Sequence, residues 1–414
     1  MNDTASRRHA VWLILLAAAG TFALTMGTRQ TMGLFLSDVN RATGLGIANI
    51  SLAFAFGQLW WGLTQPFAGA FADRVGAGRV LLIGVSLVAL GTILTPLMAS
   101  TAGLVFAIGV LAAGGAGMAG PSVLMAATTR MLPAEKRGMA TGIVNAGGSF
   151  GQFIMAPVAA GLTAALGWMT SMQVLGLIVL LALPAAWVLR GNSSAAASTA
   201  ATGVAGGSAP AREGTRAAIT RALADPSYRL LACGFFVCGF HVAFLATHLP
   251  NVVAMCGLPP AVSAWSLGLL GLFNIVGSLA MGWAVGRWRM KSLLSLVYAA
   301  RGVAVLIFLL SPKTATTMLI FAAVMGLTYL STVPPTAGLV AKFFGPANMA
   351  TLFGIVMLSH QLGGFTGAWL GGKVFTMTGS YDTIWIIDVL LAVGAALVHM
   401  PIKEAALPPK VQPA

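Results

Sequence analysis

The sequence predicts an all-α polytopic membrane protein with twelve transmembrane helices in two six-helix, pseudo-symmetric halves. Three observations predict it. Hydrophobic residues make up 58% of the 414 and charged residues only 8%, where soluble domains carry about 25% charged residues. Apolar runs long enough to cross a hydrocarbon core of about 30 Å recur along the whole length, without the period-two alternation of a membrane β-barrel. The second half also repeats the first at a constant offset of 212 residues.

Twelve runs fit at 11–36, 47–71, 80–99, 103–128, 139–164, 168–189, 230–250, 261–285, 292–311, 315–340, 350–375 and 383–401. The first follows Arg7 and Arg8. With eleven runs behind it and no small-residue cleavage pattern, it is read as a spanning helix and not a signal peptide. With both termini on one side, the loops of that side hold 18 of the 23 lysines and arginines. The positive-inside rule then places both termini in the cytoplasm of an inner-membrane protein. The net charge of +14 is accordingly a feature of topology, and no nucleic-acid partner is expected. Cys233, Cys238 and Cys256 form neither a metal spacing nor a disulfide framework and read as small packing residues. There is no nucleophile motif, phosphate loop or metal-ligand spacing, so neither an enzyme, a cofactor nor a metal site is expected.

Gly191 to Pro226 is rich in Ala, Ser, Gly and Thr and then turns basic, which reads as a flexible cytoplasmic linker. The expected organisation is an N-terminal half over 1–190, a linker over 191–228 and a C-terminal half over 229–414. The repeat runs through helices and loops alike. Gly142-Ile143-Val144 returns as Gly354-Ile355-Val356, and Gly151 and Phe153 return as Gly363 and Phe365. The same offset pairs Gly27 with Gly239, Gly114 with Gly326, Gly167 with Gly379, and the cations Arg79 and Arg130 with Lys291 and Lys342. Six plus six helices about a linker is the layout of a rocker-type secondary transporter.

The loop between the second and third helices reads Gly69-Ala70-Phe71-Ala72-Asp73-Arg74-Val75-Gly76-Ala77-Gly78-Arg79. Its glycines permit a tight turn, and Asp73 can accept at a helix N-terminus or pair with a cation. This stretch resembles the signature loop of the major facilitator superfamily, with Gly78 where the usual pattern has a cation and the cation displaced to Arg79. The resemblance implies that Gly69, Asp73, Arg74, Gly76 and Arg79 form a gating loop that locks helices on the cytoplasmic side during alternating access. The twin loop, Gly286 to Lys291, lacks the acid. The segment from Leu132 to Gly142 and the stretch Ser359-His360-Gln361-Leu362-Gly363-Gly364 resemble the fifth and eleventh helices of the monocarboxylate and oxalate/formate branch. Relatives in that branch are expected to carry an acid–arginine pair in helix eight, or basic residues in helices eight and eleven. Here helix eight offers Asn274 and no charge, and the membrane arginine, Arg301, stands in helix nine.

Arg301 lies near the middle of a twenty-one-residue stretch between Lys291 and Lys313 that has no other charge. A charge there costs roughly 2.5–3.5 kcal/mol on insertion scales and must face protein or water. Its counterpart by the repeat is Ala89, so the six-helix unit can be built without it. Arg suits a carboxylate because its planar fork binds both oxygens. Tyr298, one turn earlier on the same face, either shares the anion or packs. Arg29 in the first helix, which the repeat sets opposite His241, either lines the cavity or snorkels to the outer interface. Asn145, Ser149 and Gln152 share one face of helix five, and Gln361 belongs to the twin face of helix eleven. Gln58, Trp61 and Gln65 share a face of helix two. Together these stripes outline a polar cavity, though each alone is equally compatible with helix–helix hydrogen bonding.

The substrate-binding set expected is Arg301, Arg29, Tyr298, His241, Gln152, Asn145, Asn274, Gln361 and His360. His241, His248, His360 and Asp388 are the candidates for carrying a proton, since histidine titrates near neutral pH. Asp388 is the one acid inside an apolar run, about a turn from its outer end. A basic interior favours an anion, so the expected function is a monomeric transporter of a small organic anion, a carboxylate, by proton symport or anion exchange. A proton-coupled exporter of hydrophobic compounds, with Arg301 paired structurally to Asp388, is the alternative. A nitrate-like anion carrier and a membrane sensor that has lost transport stay open behind it.

Overall fold

A computed structural model describes residues 2–132, 137–190, 215–345 and 349–405. Twelve helical passes follow one another. They are α1 (Val11–Thr43), α2 (Ile47–Val75), α3 (Ala77–Leu97), α4 (Thr101–Thr128), α5 (Arg137–Leu166) and α6 (Trp168–Val188), then α7 (Pro226–Met255), α8 (Pro260–Val285), α9 (Met290–Leu310), α10 (Ala315–Phe344), α11 (Met349–Thr378) and α12 (Asp382–His399). Ten of them are long and apolar enough to cross a membrane on composition alone. The other two, α2 and α11, are 29 and 30 residues long. They carry Gln58 and Gln65, and His360 and Gln361, because they face each other across the molecule and not the lipid.

The duplication is visible in backbone detail. The turns into α6 and α12 are made by Gly167 and Gly379, with φ of +78° and +71°, a region where a side chain is strained. A Cβ added at Gly151 of α5 would run into the Ala23 carbonyl of α1, and one at Gly363 of α11 into the Phe236 carbonyl of α7. These repeat-related glycines let the crossing helices touch backbone to backbone. α4 and α10 are both interrupted at matching points, α4 at Ala119–Gly120 and α10 between Thr328 and Val333.

The halves meet along three pairs of helices, and the contacts gather in the middle and at the end remote from the termini. Gly33 of α1 has the Ala246 carbonyl of α7 against its Cα, and Ser37 donates to Asn251 at 2.8 Å. Gly372 of α11 sits on Ser51 of α2, Gly62 of α2 on Gln361, and Gly271 of α8 on Ser149 of α5. Nearer the termini the same faces part. Gly69, Gly142, Gly282 and Gly354, about two or three turns farther along those helices, have nothing within 4 Å of where a Cβ would lie. A cleft therefore opens between the halves on the side of the termini.

The stretch expected as a flexible linker, 191–228, is helical over Thr215–Ala224 and again from Pro226. Residues 191–214 lie outside the described residues. Thr215–Ala224 is a helix whose Ala218 and Ala222, one turn apart, are fully buried against the C-terminal half. The alanine-rich composition that suggested flexibility here supplies a smooth packing stripe. Asp225 then caps α7 by accepting the Tyr228 N–H at 2.9 Å.

Candidate functional site

Arg29 stands at the seam between the halves. Because α1 runs on to Thr43, Arg29 lies near the middle of its pass and not at the outer end, which removes the geometry that snorkelling requires. Its Nη2 donates to Gln58 Oε1 at 2.5 Å, and its guanidinium carbon lies 4.9 Å from the Trp61 ring centre. Gln58 and Trp61, three residues apart on α2, thus hold the cation from one face. No carboxylate lies within ion-pair reach of Arg29 among the described residues. Tyr329, at the interruption of α10, is close enough to act on it electrostatically.

Around this cation the other seam residues take distinct places. Asn274 of α8 donates to Ser149 of α5 at 2.8 Å and accepts the Leu330 N–H of α10 at 3.0 Å, joining both halves to the break in α10. Gln152 is buried with its amide nitrogen unpartnered among the described residues, as is that of Gln361. Asn145, one turn nearer the open end on the Ser149 face, is exposed and lines the cleft. His360 turns away from the seam, 4.9 Å from the Phe235 ring centre and in interaction range of the Cys238 thiol.

Arg301 is elsewhere. It is 1% exposed inside the C-terminal half, and its Nη2 donates to the carbonyls of Thr328 and, at 2.6 Å, Tyr329. Those carbonyls are freed where α10 breaks, at the negative end of a helical segment, so the guanidinium closes that helix end. Nε and Nη1 have no partner among the described residues. Tyr298 lies 5.4 Å below the guanidinium, donates its hydroxyl to the Gly234 carbonyl at 2.6 Å and stacks on His399. His241 Nε2 lies 3.1 Å from Asp388 Oδ1 and 3.2 Å from the Asp388 carbonyl. Arg301 lies in electrostatic range of both.

Asp388 therefore sits with residues from the middle of α7 and α9, deeper than its place in α12 suggested. The repeat held a signal for this. At the offset of 212, Arg301 and Asp388 correspond to Ala89 and Gly176, and a Cβ at Gly176 would lie 2.8 Å from the Ala89 carbonyl. Arg301 and Asp388 occupy the crossing of α9 and α12 that small residues fill at the crossing of α3 and α6.

His248 belongs to the closed end. Its Nε2 is 2.7 Å from the Ala368 carbonyl, so it carries a proton there, and Nδ1 is 3.0 Å from the Tyr381 hydroxyl. Asn251 donates to the same hydroxyl at 2.9 Å and accepts from Ser37 of the other half. The chain of donors is complete with a neutral imidazole.

In the loop expected to act as a gate, Gly76 turns the chain between α2 and α3 at φ +92°, and Arg74 and Arg79 are exposed. Nothing is described of the Asp73 side chain, and residues 133–136 of the fifth-helix entry lie outside the described residues. A Cβ at Gly78 would lie 2.6 Å from the Ala186 carbonyl of α6. No side chain fits at 78, which is why the cation stands at Arg79. The acid missing from the twin loop arrives from a distance, as Glu404 accepts the Lys291 N–H at 2.7 Å and pairs with Lys342 at 3.4 Å.

A family model described as Major Facilitator Superfamily matches residues 17–367, and again 231–413. The chain belongs to this superfamily. It is thus a multi-pass membrane protein of a transporter family and not an enzyme. Over 401 residues it is 24% identical to monocarboxylate transporter 13 of Rattus norvegicus, covering 94% of this chain and 89% of the relative. It is 22% identical to the oxalate:formate antiporter of Oxalobacter formigenes, covering 92% and 88%. The fold matches an inward-facing, unoccupied structure of a bacterial homologue of the lysosomal transporter Spinster with a TM-score of 0.76 at 15% identity, over 94% and 96% of the two chains.

Proposed function

We propose that the chain is a secondary active transporter that carries a small organic anion, a carboxylate, across a bacterial inner membrane by alternating access. The observation that carries this reading is Arg29. It is a cation at the seam of two moving halves, held by a neutral amide and an aromatic ring, with no acid within reach among the described residues. A desolvated guanidinium so placed is completed by an anion. Gln152 and Gln361, each with a spare amide donor, stand as further contacts, and Asn145 lines the way in. The monocarboxylate and oxalate:formate relatives agree with such a substrate. With both termini cytoplasmic by the distribution of basic residues, the open cleft faces inward, and closure of α2 on α11 and α5 on α8 below the seam would give the opposite state. One chain supplies both halves of the site, so a monomer suffices.

Arg301 takes a different part in this reading. With Asp388 and His241 it forms a buried titratable group behind the seam, where a proton can be exchanged between a carboxylate and an imidazole 3.1 Å apart. Tyr329 links the two sites, its carbonyl on Arg301 and its side chain near Arg29. Proton symport uses this link, and anion exchange dispenses with it. The second reading, an exporter of hydrophobic compounds, draws on the same Arg301–Asp388 juxtaposition and on the apolar walls near Arg29.

Proteoliposomes loaded with mono- and dicarboxylates test the proposal. Carboxylate flux that is lost in Arg29→Gln and partly kept in Arg29→Lys supports it, and undiminished flux in Arg29→Gln overturns it. Uptake driven by an imposed pH gradient in wild type but not in Asp388→Asn identifies symport. Uptake indifferent to the gradient leaves exchange.

A further inference from the structure

A crevice runs from Arg29 into the N-terminal half. It is lined by Gln58, Phe54 and Gly57 of α2, Val88 and Thr92 of α3, and Ile108 of α4, with Met32, Ala112 and Ala113 completing it. Its mouth is polar and its walls are not, since the Thr92 hydroxyl is turned into its own helix onto the Val88 carbonyl at 2.8 Å. Arg29 is the one charged side chain in the lining.

The back wall has an unusual backbone. Val105–Ala112 is a π-helix of eight residues, a wider coil with i to i+5 bonding that is rare and concentrates at functional sites. By the offset of 212 its counterpart is 317–324, which lies inside the ordinary α-helix Ala315–Thr328. The six-helix unit thus does not need the π segment. α3 is fitted to it, because a Cβ at Gly91 would lie 2.5 Å from both the Ala107 carbonyl oxygen and the Ala112 nitrogen. The counterpart of Gly91 is Val303, an exposed valine. Two departures from the repeat, a widened α4 and a glycine on α3 that admits it, therefore coincide at the crevice under Arg29.

We propose that the π segment of α4, with Val88 and Phe54 opposite, forms the pocket that takes the apolar tail of the carboxylate and sets the tail length the protein accepts. This rests on the assignment of Arg29 as the anion contact. With the carboxylate on Arg29, the crevice offers the substituent it bears an apolar direction to take. Ile108 is the specificity-determining side chain, because it is buried in the π segment and faces the crevice.

The experiment compares initial uptake of straight-chain monocarboxylates of increasing length in proteoliposomes, using wild type, Ile108→Ala, Ala112→Val and the symmetry control Ile320→Ala. Ile320 is the counterpart of Ile108 and is exposed on α10. Ile108→Ala is expected to shift the preference toward longer chains by roughly fourfold per methylene newly accommodated. Ala112→Val is expected to shift it toward shorter chains, and Ile320→Ala to leave the ranking unchanged. Arg29-dependent uptake whose length ranking is the same in all four proteins overturns the tail pocket while leaving the anion site standing. Uptake of every chain length that is unaffected by Arg29→Gln overturns the anion site, and the tail pocket with it.

Discussion

Replacing Arg301 by Met and Asp388 by Leu, singly and together, asks whether the two charges act as one unit. Arg301 is 1% and Asp388 0% exposed. Arg301→Met leaves the carbonyls of Thr328 and Tyr329 without their donor, at about 1–3 kcal/mol for each buried group left unpaired. It also strips Asp388 of the guanidinium that acts on it. Arg301 and Asp388 make no ion pair within 4 Å among the described residues, so any coupling acts through space. Removing one of two interacting buried charges costs about 3–5 kcal/mol, whereas replacing both with apolar groups is often close to neutral. The two orphaned carbonyls persist in the double variant, so it should retain a residual loss of about 2 kcal/mol or more. Unfolding of the purified protein by a graded denaturing detergent measures each loss. The double variant is expected to be less destabilised than the sum of the single ones by at least about 2 kcal/mol, at the upper end of the coupling seen for residues in contact. Losses that add to within about 0.5 kcal/mol would refute the coupling and leave Arg301 as a closure of the α10 break alone.

Three further outcomes are expected. Arg29→Gln should lower carboxylate uptake roughly tenfold to a hundredfold, the equivalent of a charge-assisted hydrogen bond of about 1.5–3 kcal/mol, with the purified protein's unfolding little changed. Gly78→Lys, which restores the usual family pattern of the gating loop, should lower folded yield instead of improving function, since its Cβ would sit 2.6 Å from the Ala186 carbonyl; overpacking of this kind costs about 1–3 kcal/mol. Asn251→Leu removes the link between Ser37 and Tyr381 and should loosen the closed end. Spin labels on Asn49→Cys and Lys373→Cys, both exposed positions, should then report a longer or broader distance, and an unchanged distribution would exclude Asn251 as a tie between the halves.

The architecture was legible in the sequence because membrane spans, basic loops and duplication are one-dimensional signals. Hydrocarbon thickness dictates run length, translocation dictates where lysine and arginine collect, and a constant offset needs no coordinates. The repeat even carried backbone information, for Gly167 and Gly379 share a turn that a side chain would strain, and Gly151 and Gly363 share a close helix crossing. It also aligned Arg301 with Ala89 and Asp388 with Gly176, two small residues that meet where α3 crosses α6.

What tertiary structure decided is which face of each helix meets which neighbour. A period of 3.6 groups residues on a face but does not orient that face. Arg301 and Arg29 are both arginines in apolar helices, yet one closes a helix end inside the C-terminal half and the other stands at the seam. Their separation depends on the break in α10, which frees the carbonyls of Thr328 and Tyr329, and on the length of α1, which carries Arg29 to mid-depth. His248 and His360, alike as protonatable residues, part in the same way, one fully hydrogen-bonded at the closed end and the other against an aromatic ring. The π segment has no counterpart in composition at all, because an apolar run reads the same whether its carbonyls bond four residues ahead or five.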